Sequence, residues 1–258
     1  MTGPRIRLIT RGDDCGSNHT ANVAIMEACQ KGMLRNVSMM IPCAAIEEAA
    51  EMFAGEVSIC CGLHTTMNAE WDRVKWGPVL PPGKVPSLVD ARGHFFRTPP
   101  ILGENSPRLD EAMAEIQAQL DRGRELGFDF KYVDSHMGFG RAIPGFVAAF
   151  DAWCDQEGLL NHSFYQQRLP SFEAKGDPVE QLISRLDAAA PGQYLLVGHP
   201  AYDTEEMYLL GFEGLAGETI AAEREWQRQW FMDPRVLDYC RKNGVVAVRY
   251  DEAERLRN

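Results

Sequence analysis

Segments with the two-residue alternation of a strand and segments with the spacing of an amphipathic helix take turns along almost the whole of this 258-residue chain. That order constrains the fold more than any other feature, because strand–helix–strand units close onto a parallel sheet. Strand-like runs fall near 5–11, 36–41, 57–63, 131–135, 159–163, 193–198 and 245–250. Helices are expected over 18–32, 44–54, 106–126, 144–157, 178–189, 217–231 and 234–243. Several boundaries are legible: Gly32, Gly55 and Gly127 close three helices, and Ser106-Pro107 opens the longest with a cap and a proline in first position. About seven parallel strands predict an α/β, (β/α) barrel-like fold, an incomplete TIM-type barrel. An open doubly wound sheet is the runner-up. With no internal repeat and no low-complexity linker, residues 1–258 are expected to form one domain.

In a parallel barrel the carboxyl ends of all strands lie on one face, where such folds keep their chemistry. The first strand-like run ends in Asp13-Asp14, with Gly16 allowing a sharp turn before the helix that follows. Neighbouring carboxylates repel one another unless a cation sits between them or one holds a proton. The plainer reading is a solvated helix cap. His64, His136 and His199 stand at the ends of three other strand-like runs. His19, His94 and His162 do not share that position and read as structural or surface residues. One carboxylate and two imidazoles suit a divalent catalytic ion with positions left open for water and substrate. The same set serves non-haem iron oxygenases. The extra acid and the extra histidine favour hydrolysis: Asp13 can take the proton of a metal-bound water and His199 can protonate a leaving group.

Composition narrows the partners. With 45% hydrophobic and 24% charged residues the chain can bury a full core. A net charge of −11 argues against nucleic acid and against an anionic membrane, which both demand clustered Lys and Arg. No apolar stretch approaches the ~18 residues of a membrane span. Met1-Thr2-Gly3-Pro4-Arg5 runs straight into a strand and resembles no signal peptide, so a cytoplasmic protein is expected. Of seven cysteines, Cys29, Cys43, Cys154 and Cys240 fall at apolar-periodic positions, and Cys60-Cys61 lie in a strand. These read as reduced, buried residues. Cys15, in the turn after Asp14, is the exception, a minor candidate for ligand or nucleophile. Residues 65–105 carry six prolines with Trp71 and Trp76 and look irregular. A segment of that length is usually functional, the alternative being an insertion that packs its aromatics on the rim.

The motifs resemble, in order, those of the YdjC/ChbG-like carbohydrate deacetylases, which are related to the HpnK proteins. Gly12-Asp13-Asp14-Cys15-Gly16 is similar to that family's first motif, with Cys15 in place of Phe. Gly62-Leu63-His64, Asp134-Ser135-His136 and His199-Pro200-Ala201-Tyr202 match later ones. Arg224-Glu225, Asp233-Pro234 and Gly244-Val245 resemble the family's ending. Met137-Gly138 follow where the family has further histidines, and Trp71-Asp72 with Lys75-Trp76-Gly77-Pro78 mark a subset. The resemblance implies a barrel-like fold and one divalent metal ion, Mg²⁺ or Zn²⁺, held by Asp14, His64 and His136. It implies Asp13 as base, His199 as acid, and an N-acetylated carbohydrate as substrate, with the roles of Asp13 and Asp14 open to exchange. Trp71 and Trp76, whose rings can stack on sugar faces, and Tyr202 and Asp203 are the substrate-binding candidates. The leading expectation is a metal-dependent hydrolase removing an acetyl group. The alternatives are a non-catalytic carbohydrate-binding or regulatory protein and an iron oxygenase. A homo-oligomer is left open.

Overall fold

The computed structural model describes residues 3–171 and 176–256. Among these, seven strands form one sheet: β1 (Ile6–Cys15), β2 (Asn36–Met39), β3 (Cys60–Thr65), β4 (Tyr132–Ser135), β5 (Leu160–Asn161), β6 (Gly192–Gly198) and β7 (Val245–Val248). Their order is β5-β4-β3-β2-β1-β6, with β7 also paired to β1, and every pairing is parallel. The sheet and its helices make a half-barrel, an incomplete (β/α) barrel. The helices are α1 (His19–Lys31), α2 (Ile46–Phe53), α3 (Pro99–Glu104), α4 (Leu109–Glu125), α5 (Phe146–Glu157), α6 (Pro178–Ala188), α7 (Gly217–Trp230) and α8 (Pro234–Lys242).

Several strand boundaries differ from the sequence reading: β1 runs on to Cys15, β2 and β7 stop two residues early, and β3 and β5 are shifted or shortened. β3 starts at Cys60 rather than 57, because Val57 is exposed in a turn and the Ser58 amide and hydroxyl both bond to Glu56. β5 is only two residues long, because the Asn161 side chain accepts from Ser163 and caps a 3-10 turn there. No helix among the described residues is long and apolar enough to cross a membrane.

β1 carries the architecture. β6 lies along one edge, and the other edge is divided: β7 pairs with Ile6–Ile9, and β2 with Arg11, Gly12 and Cys15. Buried Asn36 spans the division. Its Nδ2 donates to the carbonyls of Thr10 (2.9 Å) and Val248 (3.0 Å), and its Oδ1 accepts the amide of Tyr250 (2.8 Å). No apolar residue could satisfy those three backbone groups, and a buried unpaired one costs about 1–3 kcal/mol.

Alternate residues of each strand face the barrel interior. The lower interior is apolar and aromatic, with Ile9, Cys60, Tyr132 and Tyr250 clustered and the two tyrosine rings 4.2 Å apart. Tyr132 lies over Gly62, where a Cβ would come within 2.2 Å of its ring. Two residues further along the same strands the interior turns polar: Arg11, Asp13, His64 and Asp134 follow Ile9, Gly62 and Tyr132. The opposite face of the sheet meets the helices through Leu8, Ile25, Val37, Ile46, Leu63 and Ile116. Burying each such side chain contributes roughly 1.5–3 kcal/mol.

Candidate metal centre and active site

A regular strand would send Asp13 and Asp14 to opposite faces. β1 avoids this. Its register with β2 slips between Gly12 and Cys15, and Asp14 takes a left-handed backbone with φ of 65°. Such a bulge re-aims side chains at the end of a strand. Both carboxylates therefore line one cleft of about 370 Å³. The pair belongs to the strand itself, which runs to Cys15 and not only to about residue 11. Nor does either acid cap α1: that role falls to Asn18, which accepts the amide of Ala21.

Asp14 is buried and its two oxygens differ. Oδ2 accepts a hydrogen bond from Arg224 at 2.8 Å. Oδ1 has no hydrogen-bond partner among the described residues. It faces His136 Nδ1 at 3.4 Å and His64 Nε2 at 3.6 Å. The other ring nitrogens are tied down: His64 Nδ1 lies 3.0 Å from Asp134 Oδ2, and His136 Nε2 lies 3.0 Å from Glu70 Oε2. An ionised carboxylate only accepts, so each of these nitrogens donates its proton. In the neutral rings the lone pairs are then on His64 Nε2 and His136 Nδ1, both turned to the orphan oxygen. The three donor atoms lie within 4.8 Å of one another. A buried carboxylate oxygen without a partner, faced by two imidazole nitrogens oriented through carboxylates, fits a divalent cation.

The electrostatics agree with an anionic pocket. Burial acts to raise the Asp14 pKa, but Arg224, His136 and His199 hold it well below the usual carboxylate range. Burial acts to lower the His136 pKa, and Glu70 with Asp14 overcomes this and pushes it up to about 10. Without a cation, a proton on His136 offsets the carboxylates around it. His64 is raised in the same way, burial being outweighed by Asp134 and Asp13.

A second cluster stands beside the first. Both oxygens of Asp13 are held by Arg11, Nε to Oδ1 at 2.7 Å and Nη2 to Oδ2 at 2.8 Å. Arg11 Nη2 also lies 3.0 Å from Asp134 Oδ2. Asp13, His64 and Asp134 would by themselves form another metal-like set, but here the guanidinium supplies the positive charge. His162 faces Arg11 Nη1 at 3.3 Å, and burial with that charge lowers its pKa to about 4.

His199 follows β6 and lines the same cleft as the two acids, His64 and His136. The long segment supplies one wall through Glu70, Trp71 and Arg97. Trp71 lies flat against Phe212, with ring centroids 6.1 Å apart, and Arg224 sits over it. Trp76 does not line the cleft. It is buried behind His136, edge-on to that ring, with Nε1 donating to the carbonyl of Asn68 at 2.7 Å. Tyr202 also lies outside the cleft lining: its hydroxyl donates to Glu27 and Arg228 covers its ring. Asp203 is exposed beyond it. Cys15 is fully buried on the helix side against Asn22, and burial pushes its thiol pKa well up.

Four residues escaped the sequence reading in their present roles. Arg11 was detectable, since it precedes Asp13 by two on the same strand face. Glu70 and Gln227 gave no local signal and Arg224 stood out only as part of a motif, because each reaches a partner at least 28 positions away.

The half-barrel with one carboxylate and two histidines on a buried centre defines a class of α/β fold with a metal-type site. More particularly, the chain belongs to the YdjC-like protein family, which it matches over residues 7–242. It is 25% identical over 256 residues to a carbohydrate deacetylase of Thermoanaerobacter pseudethanolicus, covering 94% of this chain and 97% of that one. It is 31% identical over 183 residues to a mouse carbohydrate deacetylase, covering 68% of this chain and 54% of the relative. The fold is similar to that of an Enterococcus faecalis protein assigned provisionally to cellobiose-phosphate cleavage. The TM-score is 0.79 at 19% identity, over 97% of this chain and 99% of that one. A peptidoglycan N-acetylglucosamine deacetylase shares the fold more distantly, with a TM-score of 0.51 at 10% identity over 96% and 92% of the two chains.

Proposed function

We propose that this protein is a divalent-metal-dependent hydrolase that removes the acetyl group from an N-acetylated carbohydrate. The observation that carries the reading is the orphan Asp14 Oδ1, faced by His136 Nδ1 and His64 Nε2. Asp14, His64 and His136 would hold the ion. When bound, a divalent cation supplies Lewis acidity, acidifying water and stabilising negative charge on the acetyl oxygen.

The chain's own residues do the rest. Asp13 takes a proton from the attacking water as the new C–O bond forms at the acetyl carbon. Arg11 holds both its oxygens and so orients the carboxylate. His199 gives a proton to the nitrogen as the C–N bond breaks, leaving acetate and a free amine. Trp71 and Phe212 form the cleft wall against which a sugar would lie, with Arg97 and Arg224 beside it as hydroxyl partners. Curated relatives named carbohydrate deacetylases support this substrate class. An oxygenase on the same ligands would have no use for a clamped carboxylate and a separate histidine.

The test is acetate release from N-acetylglucosamine oligomers with added Zn²⁺, Mg²⁺, Mn²⁺ or Co²⁺. Chelation should abolish it. Asp13→Asn and His199→Gln should each lose ~10²–10⁴ in rate while metal content stays unchanged. Activity that survives chelation, or that both variants retain, overturns the mechanism. Oxygen consumption with Fe²⁺ and no acetate would transfer the site to the oxygenase reading.

A further inference from the structure

Arg224 and Gln227 lie three residues apart on α7 and so project from one face of the helix. Arg224 reaches Asp14, while Gln227 reaches His199, which lines the same cleft. Gln227 is buried, and its Oε1 meets two groups of His199: the main-chain amide at 2.6 Å and ring Nδ1 at 3.0 Å. A main-chain N–H can only donate, so the atom facing it is the amide oxygen. The amide Nε2 confirms that orientation by donating to Glu223 Oε1 at 3.0 Å, one turn back. A ring nitrogen facing the same oxygen must itself donate. Nδ1 of His199 therefore carries a proton, and the remaining nitrogen, Nε2, has no hydrogen-bond partner among the described residues.

From this geometry we infer that Gln227 is a positioning residue for His199. It fixes the Nδ1–H tautomer and leaves Nε2 as the atom that exchanges a proton with a ligand in the cleft. The inference rests on the reading of His199 as the acid. An amide is well suited to this position because it directs the ring through a neutral acceptor, whereas a carboxylate there would stabilise the imidazolium and hold its proton more tightly. Glu223 acts one step further out, since its carboxylate holds the amide against rotation.

Long-range ¹H–¹⁵N spectra of the ¹⁵N-labelled protein test this directly. The His199 signals are identified by their loss in His199→Gln. The neutral ring should show a protonated Nδ1 and an unprotonated Nε2. Gln227→Met keeps the length of the side chain and removes the acceptor, and should shift the ring toward the Nε2–H form that water favours. Gln227→Asn, one methylene too short to reach, should do the same, and stands in if the Met variant fails to fold. In acetate release, both variants should lose about tenfold or more of kcat, within the ~10²–10⁴ that a general acid is worth. KM should stay within about twofold. An Nε2–H ring in the wild-type protein, or unchanged spectra in a folded variant, overturns the inference. If no N-acetyl sugar is cleaved but the spectra shift as expected, the positioning stands and the deacetylase reading falls. If acetate is released but the spectra do not shift, the reverse holds.

Discussion

Replacing Arg11 with Met should destabilise the protein by an amount that shrinks on acidification. The guanidinium touches both oxygens of Asp13 and one of Asp134, at 2.7 to 3.0 Å, and all three side chains are under a tenth exposed. Methionine fills much of the volume but leaves two buried carboxylates without their cation. Breaking a buried pair this way typically costs about 3–5 kcal/mol. At roughly 2–4 °C per kcal/mol for a chain of this size, Tm should fall by about 6–20 °C at pH 7.5. The sign of the pH dependence follows from Asp134. Burial pushes its pKa up, but Arg11 and then His64 pull it below the usual carboxylate range. A depressed native pKa gives stability that is in place above the unfolded value of about 3.9 and is lost as pH falls through the native one. Without Arg11, burial is opposed only by His64 and, more weakly, His162, and the native pKa rises. The variant then gains on the wild type as the solution is acidified, so the Tm gap should be widest near neutrality and narrow toward pH 4. The assay is calorimetry or thermal fluorescence from pH 4 to 8, with chelator present, because Asp13, His64 and Asp134 would otherwise be free to take a cation. A Tm loss under ~2 °C at neutral pH, or a gap that widens on acidification, would falsify this account of the cluster.

Three further outcomes are expected. Glu70→Gln keeps an acceptor for His136 Nε2 but removes its charge, and should weaken Zn²⁺ binding about 10–100-fold by competition with a chromophoric chelator; an unchanged affinity would remove Glu70 from the centre. Trp71→Ala should raise KM more than it lowers kcat, because stacking on a sugar acts on ground and transition states alike. Trp76→Ala should instead cost about 3–5 kcal/mol of stability in denaturant unfolding with little change in KM, and the opposite pattern in the two variants would reverse their assignments. Cys15, buried with its thiol pKa pushed up, should resist iodoacetamide in the folded protein and react once it is unfolded; rapid labelling of native protein would reopen its claim to reactivity.

Strand–helix alternation was enough to imply a parallel sheet packed with helices, and left an incomplete barrel and an open doubly wound sheet both standing. Parallel connections place every strand's carboxyl end on one side, so residues at those ends meet whatever their distance along the chain. That is why Asp13, Asp14, His64, His136 and His199 could be grouped before any coordinates, and why they line one cleft. Three things were not legible. The first is that two adjacent carboxylates face the same way, which depends on a slipped register with β2 and a left-handed Asp14. The second is which nitrogen of each histidine is left open, a choice made by Asp134, Glu70 and Gln227. The third is the division of the tryptophans between wall and core. It depends on how 65–105 is pinned to α4, where buried Glu115 accepts the amides of Val79 and Leu80 and Gln119 grips Thr66. Periodicity records which side of an element is buried, because that is a property of neighbouring residues. The partner of a buried polar atom is decided by which distant segments the folded chain brings within about 3 Å, and only the tertiary structure holds that information.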